Sequence, residues 1–191
     1  MRKVALGLNI SHIALGLKHR ETLMEINTTL ENFTIRNATI DDSELILNLI
    51  KELAEYEKLL HEVTATKEIL EETLFSERPF GEVIIGDFEE KPIGYALFFY
   101  NFSTFTGRPG IYLEDIYVQP NMRGKGMGKC LLAYIANLAV KKNCTRVEWS
   151  VLDWNTPSIK FYRSIGAIPM DGWTVQRLDG ESLKNFAKQF K

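Results

Sequence analysis

The stretch Tyr112-Leu-Glu-Asp-Ile-Tyr-Val-Gln-Pro-Asn-Met-Arg123-Gly-Lys-Gly-Met-Gly-Lys129 changes character twice along its length. Tyr112, Ile116, Tyr117 and Val118 are aromatic or β-branched, which suits a pleated, buried strand. Gln119-Pro120-Asn121 ends that strand. Glycine then recurs at every second position, as Gly124, Gly126 and Gly128. From Met127 onward Leu131, Leu132, Ile135, Leu138 and Ala139 return at helical spacing. A strand, a glycine loop and a helix in this order suit an anion. Glycine has no Cβ to hold an anion off the backbone, and the unpaired N–H groups of a helix start carry partial positive charge. Arg123, Lys125 and Lys129 add full charges, so a pyrophosphate is the expected ligand and a ligand-free glycine turn the alternative.

Spacing excludes two common phosphate loops. The pattern G-x-x-x-x-G-K-S/T fails because Cys130 follows Gly128-Lys129 and Arg123 stands where the first glycine is needed. The pattern G-x-G-x-x-G fails because a single residue separates Gly126 from Gly128. What the stretch resembles is the acyl-CoA pyrophosphate loop of the GNAT acetyltransferases, R/Q-x-x-G-x-G/A, met here as Arg123-Gly124-Lys125-Gly126-Met127-Gly128. Tyr112-Leu-Glu-Asp-Ile-Tyr-Val118 and Leu152-Asp-Trp-Asn155 are similar to the diamine (spermidine/spermine) N-acetyltransferases and to thialysine N-ε-acetyltransferase. The likeness runs from Phe33 to Ala187. It implies acetyl transfer from acetyl-CoA to a small cationic amine, without a metal, by a homodimer.

The chain has 191 residues, enough for one domain with a core. It is 45% hydrophobic and 25% charged, ordinary for a soluble globular protein. A net charge of −2 gives no nucleic-acid footprint. No run reaches the ~20 apolar residues of a membrane span, so no membrane partner is expected. Cys130 and Cys144 are isolated, which points to a reducing compartment, taken here as the cytoplasm. His12, His19 and His61 show no ligand spacing, so no metal is expected.

Residues 1–23 contain Arg2, Lys3, Lys18, His19 and Arg20, and no acid before Glu21. A signal peptide, an organelle transit segment and an over-extended start ahead of Met24 all fit this composition. Residues 1–32 are expected to be an extension outside the fold and 33–191 the acetyltransferase domain. Strands are expected at Phe33–Arg36, Val83–Ile85, Pro92–Phe99, through the central stretch, at Arg146–Val151 and at Trp173–Leu178. Helices are expected from Thr39 through Leu53, from Thr66 to Phe75, from Met127, from Pro157 to near Gly166, and from Ser182 through Phe190. That order fits one α/β domain with a central, mostly antiparallel sheet and a βαβ unit at the glycine loop; it is also the GNAT pattern, whose strands splay around the acyl-CoA site.

Acetyl transfer to an amine needs a proton acceptor, because an alkylammonium with a pKa near ~10.4 has no lone pair to attack with. It also needs donors for the oxyanion and an acid for the departing thiolate. Glu114 and Asp115 lie on the central strand, where an acid is costly without a purpose. Successive strand residues face opposite sides, so the two share a site only across a bulge; otherwise they are a structural pair at the strand edge. Glu114 is the candidate base, acting through water, and Asp115 a candidate ligand for the substrate cation. Tyr56 and Glu57, at the acidic end of the first helix, are further substrate candidates, a solvated face being the alternative. Lys58-Leu-Leu-His61-Glu62 departs from the more acidic run of the spermidine enzymes. Tyr162 in Asn155-x-x-Ser158-x-x-x-Tyr162 resembles the tyrosine that protonates the CoA thiolate, and helical spacing puts Ser158 and Tyr162 on one face. The resemblance further assigns the pantetheine arm to Ile116, Tyr117, Val118, Asn155 and Ser158, and the pyrophosphate to the loop Arg123, Gly124, Lys125, Gly126, Met127, Gly128 and Lys129. No cysteine is placed as a nucleophile, so direct transfer in a ternary complex is expected. A peptide or protein acetyltransferase and a non-catalytic acyl-CoA sensor are the competing readings.

Overall fold

Strands β1 (Ile26–Asn27), β2 (Phe33–Asn37), β3 (Glu82–Phe88), β4 (Lys91–Ser103), β5 (Arg108–Val118) and β6 (Val147–Glu148) lie side by side in sequence order. The computed structural model describes residues 25–190. The chain divides into one unit ending at Trp149 and a second beginning at Ser150. Within the first, all strand neighbours are antiparallel except β5 and β6. That parallel pair needs a crossover, which α3 (Met127–Lys141) supplies. The result is the mixed, mostly antiparallel sheet that the sequence leads one to expect.

Helices α1 (Ser43–Tyr56) and α2 (Lys67–Leu74) connect β2 to β3. Their buried residues Ile46, Leu47, Leu49 and Leu70 share a core cluster with Val83, Ile85, Tyr95 and Tyr117 of the sheet. Gly86 on β3 lies against the Phe33 ring and Leu131 of α3. The start of α1 is pinned by Asp42, whose carboxylate accepts the Thr39 N–H at 2.8 Å. Arg36 on β2 donates to Asp42 at 2.8 Å and to Asp87 on β3 at 2.9 Å, tying two strands to the helix entry. Thr66 caps α2, accepting the Ile69 N–H at 3.3 Å.

The ladder between β4 and β5 slips once. Leu97 pairs with Asp115 and Phe98 with Leu113, leaving Glu114 as the extra residue of a β-bulge. Ahead of the bulge, β6 pairs with Ile111 and Tyr112 alone. This shortens the strand expected over Arg146–Val151 to Val147–Glu148.

In the second unit, α4 (Thr156–Ser164) and α5 (Gly180–Ala187) form as helices. The strand expected at Trp173–Leu178 does not form: these residues enter no ladder among the described strands, and a strand without ladder bonds has nothing to hold it. Helix α5 begins at Gly180 after Asp179, ahead of the expected Ser182. At the other end β1 pairs with β2, so Ile26 and Asn27 belong to the sheet although an extension was expected there. The readings of residues 1–23 lie outside the described residues.

Candidate active site

The glycine loop is shaped by its glycines. A short 3-10 turn over Pro120–Met122 leads out of β5, and Gly124 and Gly126 then take φ of +77° and +88°. L-residues avoid that region and glycine does not. Gly126 is the N-cap of α3, and the first helical bond runs from Cys130 N–H to the Gly126 carbonyl. The N–H groups of Met127, Gly128 and Lys129 are therefore the helix's free N-terminal donors. A Cβ placed on Gly124 would meet nothing within 4 Å, so the backbone there is open to a ligand. Lys125 and Lys129 are exposed beside it, while Met127 is buried and anchors the helix start.

Arg123, at the start of this loop, has contacts on the β5 side. Its Nε donates to the Val118 carbonyl at 2.8 Å. Its guanidinium sits 4.3 Å from the centroid of the Tyr56 ring and 5.3 Å from that of Tyr117. Arg123 thus braces the loop against β5 and the end of α1 through cation–π contacts. Tyr56 supports that brace as well as standing near the acidic helix end. Glu52, one turn earlier, reaches the Gln119 amide nitrogen at 3.4 Å.

Beyond Leu113, β5 has no strand neighbour on its β6 side among the described strands. The direction of its N–H groups follows from two bonds. Ile111 N–H points to β6, bonding Arg146, whereas Gln119 N–H points to β4, bonding Ile93. Strand alternation then turns the Tyr117 N–H toward β4 and the Ile116 and Val118 N–H groups toward the open edge. Without the bulge at Glu114 the parity would be reversed. The bulge therefore gives Ile116 and Val118 outward donors, suited to an acyl carbonyl or an extended amide chain.

The same bulge removes the objection to Glu114 and Asp115 sharing a site. Glu114 is exposed; Asp115 is half-buried and shares its sheet face with Tyr95 and Tyr117. The Tyr95 hydroxyl donates to Asp115 Oδ2 at 2.9 Å. Burial pushes the Asp115 carboxyl up; the Tyr95 hydrogen bond opposes this and the Glu114 charge adds to it. Burial and the Asp115 charge likewise raise Glu57 at the C-cap of α1. Tyr95, held in place by burial and by Asp115, is pushed well above 10 and stays a hydroxyl donor. Three carboxyl groups with no ion pair among the described residues make a mouth suited to an ammonium. Sequence reasoning passed over Tyr95. The available signal was a phenol inside the apolar run Ile93-Gly-Tyr-Ala-Leu-Phe98, where a buried hydroxyl needs a partner.

In the second unit Asn155 is buried and caps α4, its Oδ1 accepting the Ser158 N–H at 3.4 Å. Pro157 stands in the first turn, where its missing N–H costs nothing. Ser158 and Tyr162 follow along the helix, both half-buried, and the Tyr162 ring lies 5.5 Å from that of Phe161. Cys130 and Cys144 are free and half-buried. No cluster of metal-ligating side chains occurs among the described residues.

Comparison with known proteins decides the family. The Acetyltransferase (GNAT) family profile matches residues 46–167, which carry β3 to β6, the glycine loop and α4. The chain belongs to the GNAT acetyltransferase family. It is 37% identical over 164 residues to thialysine N-ε-acetyltransferase of Mus musculus, covering 80% of this chain and 96% of the relative. It is 32% identical over 170 residues to spermidine/spermine N(1)-acetyltransferase-like protein 1 of Homo sapiens, covering 84% of this chain and 24% of that one. Among solved structures, an integron cassette protein of V. cholerae superposes with a TM-score of 0.70 at 27% identity, covering 82% of this chain and 98% of that chain. This GNAT is an N-acetyltransferase with the α/β fold of its family. GNAT acetyltransferases take their acyl group from acetyl-CoA, and the loop fits a pyrophosphate by its open glycine backbone, free helix donors and two exposed lysines.

Proposed function

We propose that this enzyme transfers the acetyl group of acetyl-CoA to a primary amine of a small cationic substrate, a thialysine- or lysine-like amino acid or a polyamine, by direct attack. The observation that carries the reading is the acidic mouth, where Asp115 and Glu57 stand within mutual electrostatic reach beside the bulged Glu114. When bound, acetyl-CoA supplies a thioester. Gly124 to Lys129 hold its pyrophosphate, and Ile116, Tyr117 and Val118 run along its pantetheine arm with help from Asn155 and Ser158. Asp115, Glu57 and Tyr56 receive the substrate cation. Glu114 takes the amine proton through water as nitrogen bonds to the acyl carbon. The N–H groups of Ile116 and Val118 stabilise the oxyanion that develops. Tyr162 gives its proton to the thiolate as the C–S bond breaks, a role that rests on the resemblance.

The relatives named for thialysine and for spermidine/spermine support both substrate classes. Lys58 and His61, just past the acidic helix end, favour an amino acid over a long polyamine. We also assign a homodimer, on the resemblance, and a cytoplasmic location, on two free thiols. Thiol release from acetyl-CoA is measured against thialysine, lysine, ornithine, putrescine, spermidine, spermine and a lysine-containing peptide. The highest kcat/KM is expected for thialysine or lysine. Release with the peptide alone would overturn the small-amine reading. Tyr162→Phe is expected to lower turnover by about tenfold or more while acetyl-CoA still binds; unchanged turnover would remove Tyr162 from its role.

A further inference from the structure

We propose that Tyr95 is a positioning residue for the amine substrate, its hydroxyl fixing Asp115 so that the second carboxylate oxygen, Oδ1, meets the substrate ammonium. The inference rests on the acidic-mouth reading and adds to it a residue that touches neither substrate. Tyr95 is fully buried on β4, directly across the ladder from Tyr117, within the cluster that α1 and α2 close. Its ring has no freedom there, so its hydroxyl is a fixed point. The hydrogen bond to Asp115 Oδ2, 2.9 Å long, joins that fixed point to a side chain beside the bulge, where the backbone is least regular. A carboxylate at a bulge would otherwise choose among rotamers. Tied by one oxygen, it keeps the other in one direction.

Among the described residues, the groups that face Asp115 come from three elements. Tyr95 faces it from β4, Glu57 from the end of α1, and Glu114 from its own strand. Tyr117 lies further along β5, with Glu52 and Arg123 beyond it. None of the acids can donate to Asp115 when ionised, so the Tyr95 hydroxyl is the donor that favours its charged form. A phenylalanine here would keep the packing and lose the donor. The hydroxyl therefore serves recognition of the cation more than it serves the core.

Tyr95→Phe tests this in the full-length enzyme. With the best amine of the panel, kcat/KM for the amine is expected to fall about tenfold to a hundredfold, as for loss of a hydrogen bond to a charged group. KM for acetyl-CoA and the thermal midpoint should change little. Because the hydroxyl lowers the Asp115 carboxyl, its loss should move the acidic limb of the amine kcat/KM profile to higher pH. In an Asp115→Asn background, Tyr95→Phe should add no further loss. An equal loss in that background, or an unmoved profile with activity tracking stability, would overturn the proposal. The carboxyl 13C titration of Asp115 reads the same coupling without turnover: Tyr95→Phe should shift it upward, and no shift would refute the inference. If the wild-type enzyme acetylates no amine, the functional reading fails while this titration still decides the role of Tyr95.

Discussion

Arg36 shows how much one residue can organise. It lies on β2 with its side chain largely buried and holds Asp42 and Asp87 together. Burial alone would raise the Asp42 carboxyl; the Arg36 hydrogen bonds and the Thr39 N–H outweigh it and hold the group below its ordinary 3.8. A carboxyl lowered on folding gives stability that is complete above its unfolded value and is lost as pH falls through the folded one. Arg36→Met should destabilise the protein by about 3 kcal/mol, since two carboxylates lose their cation. It should also flatten the acid-induced loss of stability, read by urea unfolding between neutral pH and about pH 3. Asp115 and Glu57 act with the opposite sign. Their carboxyls are raised on folding, so they oppose stability as pH rises through that range. At this scale Asp42 was legible, because an acid three residues after Thr39 is a capping pattern. Arg36, Arg123 and Tyr95 were not, because their partners lie 51, 5 and 20 positions away and meet them only in the fold.

At the scale of the element, the loop into α3 is the most constrained feature. Gly126 caps the helix at φ +88°, a conformation that costs an L-residue about 1–2 kcal/mol. Gly126→Ala should raise KM for acetyl-CoA severalfold through a displaced helix start, leave KM for the amine nearly unchanged, and lower stability by about 1 kcal/mol. Calorimetric titration with CoA and thermal unfolding check the two parts separately. This element could be read from spacing alone, because glycine at alternate positions and an apolar helical stripe are local signals. The bulge at Glu114 could not. An extra residue in one strand becomes visible only when the partner strand is laid beside it. Yet the bulge sets which N–H groups of β5 face outward and allows two adjacent acids to share one site.

At the scale of the whole molecule, the C-terminal unit is notable for what it exposes. Trp173 and Val175 are 74% and 83% exposed, and Ile168 and Phe190 are exposed as well. Their strand-like sequence has no ladder within the described chain. On the homodimer proposed above, sedimentation equilibrium is expected to give a dimer at micromolar concentration, and a monomer would remove the homodimer from the proposal. No described helix is long and apolar enough to cross a membrane. The sequence by itself determined the order of elements from β2 to α4, the glycine loop and the GNAT family, because each is written in local periodicity or in a contiguous motif. Only the tertiary structure decided the length of β6, the loss of the strand at 173–178, the contacts of Arg123 with Tyr56 and Tyr117, and the pairing of Tyr95 with Asp115. These depend on which surfaces meet, and that is settled by packing between segments distant in the chain, where a strand without ladder bonds has nothing to hold it and a buried hydroxyl must find an acceptor.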